Sequence, residues 1–397
     1  MSSAHYFCNS IYDQIMRSTT YLESKPRYEI LDGLRGVAAL MVVAYHLCEV
    51  YMTSYADAMV NHGYLAVDFF FALSGFVIGY AYDDRWNKMT TWGFFKRRLT
   101  RLHPMVIFGV LVGAICFYFQ DCADFPLVSS TGIGAFLLVM LINMLMLPLL
   151  PSMDIRGTAE VSALNGPTWT LMYEYLANIV YAFVLRRLPR IVVAVLLCVG
   201  ATLTLDVALN LNIFGMLDGY ETPYAILGGW ALTPQGVYLG ITRLTYPFLA
   251  GLLLSRMNWT LNLKNAFLWC SVAIVFLFNV PFLGGYSLVA EGMFNSTMIL
   301  LVMPLIVSVA AGSTLSGKAT SRICKFCGEI SFPMYITHYP LVFIQHAWAQ
   351  NHPDLPVSVH VAVALLTFMA ALFVAYAALK LYDEPVRNYL KEHWLKK

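Results

Sequence analysis

Eleven stretches of predominantly apolar residues, each near the roughly 20 residues that carry a helix across a hydrocarbon core of about 30 Å, dominate this chain. They cover approximately residues 33–53, 63–82, 103–119, 132–150, 168–185, 189–212, 236–254, 266–283, 293–312, 331–349 and 357–380. Apolar residues fill most faces of each run, as expected of helices buried in lipid rather than lying on a surface. Charge is correspondingly scarce: 25 Lys or Arg and 23 Asp or Glu make up 12% of 397 residues, against about 25% in a soluble domain. So few charges cannot coat two or three soluble domains, and 59% hydrophobic residues exclude disorder. A net charge of +2 without a basic, aromatic-interleaved face excludes a nucleic-acid partner. The expected fold class is an all-α polytopic membrane protein solvated by the lipid bilayer.

Lys and Arg collect in cytoplasmic loops, so their positions orient the chain. The densest cluster, Lys96, Arg97, Arg98 and Arg101, with Arg85 and Lys88 just before it, follows the second run and puts that loop and the N-terminus inside. Arg186, Arg187 and Arg190; Arg256 and Lys264; Lys318, Arg322 and Lys325; and Lys380, Arg387, Lys391, Lys396 and Lys397 follow later runs. All of them fall inside only if one run between Arg98 and Arg186 does not cross. Residues 132–150, ending in Leu147-Pro148-Leu149-Leu150-Pro151, are expected to be that re-entrant or interfacial helix. The expected organisation is therefore ten transmembrane helices in a cell membrane with both termini cytoplasmic. It divides into a segment 1–27, one membrane domain 28–388 and a basic tail 389–397. Segment 1–27, with Arg17, Glu23 and Lys25, has no apolar core and does not read as a signal peptide. The first span serves as the uncleaved targeting signal. Cys324-Lys-Phe-Cys327 is a lone CxxC without the second pair of ligands a structural zinc site needs, so no metal is expected.

Ionisable groups inside spans are costly and face cavities or one another. The first span carries Asp32, Arg35, His46 and Glu49. Eleven residues separate Arg35 from His46; at about 100° each they make three turns plus about 20°, which sets both on one face roughly 16 Å apart, with Asp32 beside Arg35. The second span buries Asp68 and Ser74 among bulky apolar residues, with Gly75 suited to close helix packing. Arg98 and Arg101, three apart beside Arg97, project from one side of a helix. Their guanidinium forks suit either a phosphorylated cofactor or lipid headgroups. In Trp169-Thr-Leu-Met-Tyr-Glu174 a carboxylate enters a span with Thr170 on its face, and Arg243 is a possible partner for it. Ser331-Phe-Pro-Met-Tyr335-Ile-Thr-His338 sets Tyr335 and His338 on one face.

Taken in order, Leu31-Asp-Gly-Leu-Arg-Gly-Val-Ala-Ala39 running to His46, Val67-Asp-Phe-Phe-Phe-Ala-Leu-Ser-Gly75, Arg97-Arg-Leu-Thr-Arg101, Trp169-Thr-Leu-Met-Tyr-Glu174 and Ser331-Phe-Pro-Met-Tyr-Ile-Thr-His338 resemble the motifs of acyltransferase family 3. Its members are membrane-bound O-acyltransferases that commonly acetylate sugars. The resemblance runs from about residue 28 to about 388. Arg35 and His46 match the family's Arg-x10-His pair, and Arg98 and Arg101 its Arg-x-x-Arg pair; Thr170 stands where Ser is usual. The extra esterase-like domain of many members is not expected here.

The resemblance implies transfer of an acyl group, most often acetyl, from cytoplasmic acyl-CoA to a hydroxyl of a carbohydrate or glycolipid-type acceptor. Arg98 and Arg101, with Arg97, would grip the donor's phosphates. His46 would be the general base, with Asp68 or Glu174 orienting it, or would carry the acyl group transiently; acetyl-CoA is a substrate rather than a resident cofactor. The competing expectation is a proton-coupled transporter using the same intramembrane His, Arg and Glu residues.

Overall fold

The computed structural model describes residue 25 and residues 27–396; residues 1–24, 26 and 397 lie outside the described residues, and with them most of the expected N-terminal segment and Lys397. Among the described residues fourteen α-helices follow one another: α1 Glu29–Glu49, α2 Ala66–Tyr82, α3 Thr91–Cys116, α4 Ile133–Met144, α5 Trp169–Phe183, α6 Arg190–Ala208, α7 Pro234–Met257, α8 Ala266–Phe278, α9 Leu288–Thr297, α10 Met303–Gly312, α11 Lys318–Thr337, α12 Tyr339–Asn351, α13 Val357–Ala378 and α14 Glu384–Leu390. Among the described residues β-structure is limited to one isolated bridge, Glu160 to Ala231. Seven helical stretches among the described residues are long and apolar enough to cross a membrane: 29–49, 63–82, 91–119, 190–208, 234–257, 288–312 and 357–395. The chain is an all-α, multi-pass membrane protein.

Local sequence explains where helices start and break. Thr90 and Thr233 cap α3 and α7 by accepting the amides of Gly93 and Gly236 at 2.9 and 3.0 Å. Pro340 opens α12 and has no N–H to return to the Ile336 carbonyl, so the helix breaks at His338. Asn165 Nδ2 takes up that carbonyl instead, at 2.7 Å.

Two close helix pairs form the centre. A Cβ at Gly36 would overlap the carbonyl of Cys327, so α1 and α11 touch backbone to backbone, with Cys324 and Cys327 filling that seam. Gly75 likewise lets α2 lie against the Phe248 carbonyl of α7, the packing role its sequence setting implied.

The helix ends sort into two sets, one near Arg35 and one near His46. Arg256 at the end of α7 bonds Asp83 at the end of α2 (2.7 Å) and the carbonyls of Leu185 and Leu188 beyond α5, which gathers three basic loops at the Arg35 end. At the other end, Gln345 of α12 bonds the Leu47 carbonyl, and His62 meets Glu291 of α9 at 2.8 Å. Segment 117–168, which contains α4, begins and ends at the His46 end. Arg156 stacks within reach of Phe117, and the backbone of Leu164 faces Gly113 of α3. With 12 residues, α4 is about 18 Å long, short of the roughly 30 Å core. Apolar side chains expected to meet lipid are exposed, as in Leu137, Leu138 and Leu141 of α4 and Leu365, Leu366 and Phe373 of α13.

Candidate active site

At the Arg35 end the helices part around a cavity of about 630 Å³, within the range of about 300–1,000 Å³ of small-molecule sites. Asp32 and Arg35 come from α1, Phe70 and Ser74 from α2, Arg97, Arg98 and Arg101 from α3, Thr170 and Glu174 from α5, and Ser331 and Tyr335 from α11. Arg27 closes the rim, and the C-terminal helices add Asp383, Arg387 and Lys391. The tail thus packs onto the cavity: Lys96 of α3 donates to the Trp394 carbonyl and sits over its ring. Sequence reading missed the residues on this wall because nothing local joins the C-terminus to α3.

The cationic groups differ in how firmly they are held. Arg98 is buried and bonded to Glu174 at 2.5 Å, and Ser74 donates to the same carboxylate oxygen at 3.0 Å. Arg35 is paired with Asp32 at 2.7 Å. The expected pairing of Glu174 with Arg243 is corrected: Arg243 instead forms a fully buried pair with Asp68 at 2.8 Å and donates to the Tyr64 and Gly228 carbonyls. Trp169 lies under that guanidinium, 5.4 Å from ring centre to Arg243. Asp68, Arg243 and Trp169 therefore form a charge-paired brace between α2, α7 and the start of α5, and none of the three except through its neighbours reaches the cavity.

In the cavity wall the Thr170 hydroxyl meets that of Tyr335 at 2.8 Å, while Tyr335 also donates to the Pro167 carbonyl. Beyond Tyr335 come His338, its ring centre 6.0 Å away, and then His46, stacked 5.5 Å from His338. His338 Nδ1–H donates to the Met334 and Tyr335 carbonyls, which leaves Nε2 as a fully buried acceptor without a partner among the described residues. The orienting carboxylate of His46 is neither Asp68 nor Glu174, both of which are bonded to arginines. It is Glu49, one turn further along α1, whose Oε2 accepts from His46 Nδ1 at 2.6 Å. An ionised carboxylate only accepts, so this bond puts the proton on Nδ1 and the lone pair on Nε2. The i, i+3 spacing of His46 and Glu49 was visible in the sequence; the pairings of Glu174 and Arg243 span 76 and 175 positions and were not.

Comparison with known proteins fits this arrangement. An acyltransferase domain model matches residues 28–380. Protein 2 in the picA locus of Rhizobium radiobacter is 37% identical over 165 residues, 39% of this chain and 81% of that protein. The O-acetyltransferase OatA of Staphylococcus aureus is 37% identical over 91 residues, 22% of this chain and 14% of OatA. Acyltransferase MdmB of Streptomyces mycarofaciens is 29% identical over 176 residues, 41% of each chain. The chain thus spans less than half the length of the last two, 14% of OatA and 41% of MdmB. No solved structure matches. With the family's domain matched over residues 28–380, from just before α1 to just past the end of α13, this chain belongs to the membrane-bound acyltransferase family 3 and is an acyltransferase.

Proposed function

We propose that the enzyme is an O-acetyltransferase of the cell membrane, moving acetyl from acetyl-CoA to a hydroxyl of a carbohydrate or glycolipid-type acceptor. One observation carries this reading: a cavity rimmed by arginines and a His–Glu pair stand at the two ends of the same helix, α1. The O-acetyltransferase named among its relatives supports the acetyl donor and the hydroxyl acceptor. Clustering of basic loops at the Arg35 end supports a cytoplasmic assignment for that end, with ten crossings and both termini inside. Arg27, Arg35, Arg97, Arg101, Arg387 and Lys391 would face the coenzyme's phosphates, as guanidinium forks match phosphate oxygens. Arg98 would act by holding Glu174 in the wall.

For the thioester to meet His46, the Thr170–Tyr335 contact must open. His46 Nε2 then takes the proton of the acceptor hydroxyl as its oxygen attacks the thioester carbonyl. Glu49, holding Nδ1–H, stabilises the imidazolium that forms. Collapse of the tetrahedral intermediate breaks the C–S bond, and His46 returns the proton to the departing thiolate. The products are CoA–SH and an acetyl ester. The test is full-length protein in proteoliposomes with [14C]acetyl-CoA and a panel of glycans and small glycosides. Label on an acceptor hydroxyl with equimolar release of CoA thiol is expected; solute flux without acetyl transfer would overturn the reading.

A further inference from the structure

The segment 145–168, at the His46 end, carries a carboxylate that the reaction above does not use. The bridge to Ala231 and the bond from Val161 N to the Trp230 carbonyl (2.8 Å) fix the backbone at Glu160 from one side. The bond from Leu149 N to the Val161 carbonyl (3.0 Å) fixes it from the other. Asp154 organises the preceding turn by accepting the amides of Arg156, Gly157 and Ala159. Arg156 anchors it by donating twice to the Ala163 carbonyl and lying 3.6 Å over the Phe343 ring.

Glu160 is thus rigidly placed, yet its carboxylate makes no ion pair or hydrogen bond among the described residues, and Oε2 is buried. It lies against Tyr339: a Cβ at Gly166 would stand 2.8 Å from both Glu160 Oε2 and the Tyr339 ring. That ring in turn meets His46 edge-on at 4.7 Å. His338, whose ring stands 5.5 Å from His46 and 5.8 Å from Tyr339, supplies a second buried polar atom, Nε2, with no hydrogen-bond partner among the described residues. Buried polar groups are almost always satisfied, so these two unmet acceptors, both beside the Tyr339 ring that packs on His46, call for a ligand that donates.

We propose that Glu160 is an acceptor-recognition residue, its carboxylate taking a hydrogen bond from a hydroxyl that neighbours the one His46 deprotonates. A site built this way selects polyhydroxylated, carbohydrate-like acceptors over simple alcohols, because a monohydroxylic substrate leaves Glu160 unpaired. The inference rests on the acyltransferase reading with His46 as base. Segment 145–168 then serves as the acceptor-side wall.

The probes are methyl α-D-glucopyranoside and 1-propanol, each offered with [14C]acetyl-CoA to full-length protein in proteoliposomes. Wild type is expected to acetylate the glycoside about tenfold or more faster than propanol at equal hydroxyl concentration. Glu160→Ala should collapse that ratio toward one while the KM for acetyl-CoA holds. Glu160→Gln, which keeps shape and one acceptor oxygen, should retain part of the preference and covers the case in which the alanine variant fails to fold. An unchanged ratio in either folded variant, or no preference in wild type that consumes acetyl-CoA, overturns the inference alone. Wild type that releases no CoA thiol at all overturns the acyltransferase reading and this inference with it.

Discussion

His46 and Glu49 sit one helical turn apart at the end of α1 and share a 2.6 Å hydrogen bond through His46 Nδ1. The bond fixes the tautomer a base needs and gives the imidazolium a counter-charge. Glu49→Gln keeps the shape and removes the charge, and it allows the ring to turn or change tautomer. Acetyl transfer should fall by about 10²–10⁴-fold in kcat, with the KM for acetyl-CoA nearly unchanged, measured as steady-state CoA release. A fall confined to KM would assign Glu49 to binding instead.

Arg98 and Arg101 match one motif but do different work. Arg101 lines the cavity, and Arg101→Ala should raise the KM for acetyl-CoA about tenfold or more, as expected for loss of a charge-assisted bond of about 1.5–3 kcal/mol. Rising salt should act in the same direction on the wild type. Arg98→Ala strands Glu174 without its cation and should also reduce the amount of folded protein, read by size-exclusion chromatography in detergent.

The Asp68–Arg243 pair is a stability element. Asp68→Asn leaves a buried guanidinium short of its counter-charge, a change that costs about 3–5 kcal/mol when one partner of a buried pair is lost. Thermal unfolding in detergent should show a clearly lowered midpoint. Activity per folded molecule should fall far less than in Glu49→Gln.

Glu160 also makes stability depend on pH. Burial is the main cause that raises its carboxyl from 4.5 to about 7; repulsion from Glu49 and Asp154 adds to this, and Arg156 opposes it. Because the folded state holds this proton more tightly than the unfolded state, the contribution is full below pH 4.5 and is lost as pH rises through about 7. Melting temperature should therefore decline between pH 5.5 and 8, and Glu160→Gln should flatten that decline relative to wild type.

Much of this architecture was legible from residue order because lipid imposes length and apolarity on each crossing. The runs at 33–53, 63–82 and 236–254 correspond to α1, α2 with its leading turn, and α7. The Arg35–His46 face follows from helix geometry alone. What escaped were contacts made by distant segments. Glu174 meets Arg98 across 76 positions, and Arg243 meets Asp68 across 175. Charge inventory cannot choose among such partners, because either arginine satisfies the same carboxylate. Glu160 escaped for another reason: it lies in a connecting segment without helical periodicity, and only the bridge to Ala231 and the missing side chain at Gly166 bring it toward Tyr339. The C-terminal helix reads as a basic tail until its packing against Lys96 is seen.

The central claim is that His46 is the base that activates the acceptor. Its most direct test is acetyl transfer from [14C]acetyl-CoA by His46→Ala in proteoliposomes, with equilibrium binding of acetyl-CoA measured on the same preparation. The account predicts that transfer drops to background while binding stays within about threefold of wild type, the donor being held by arginines at the far end of α1. Transfer near the wild-type rate in a variant that lacks the imidazole would contradict it.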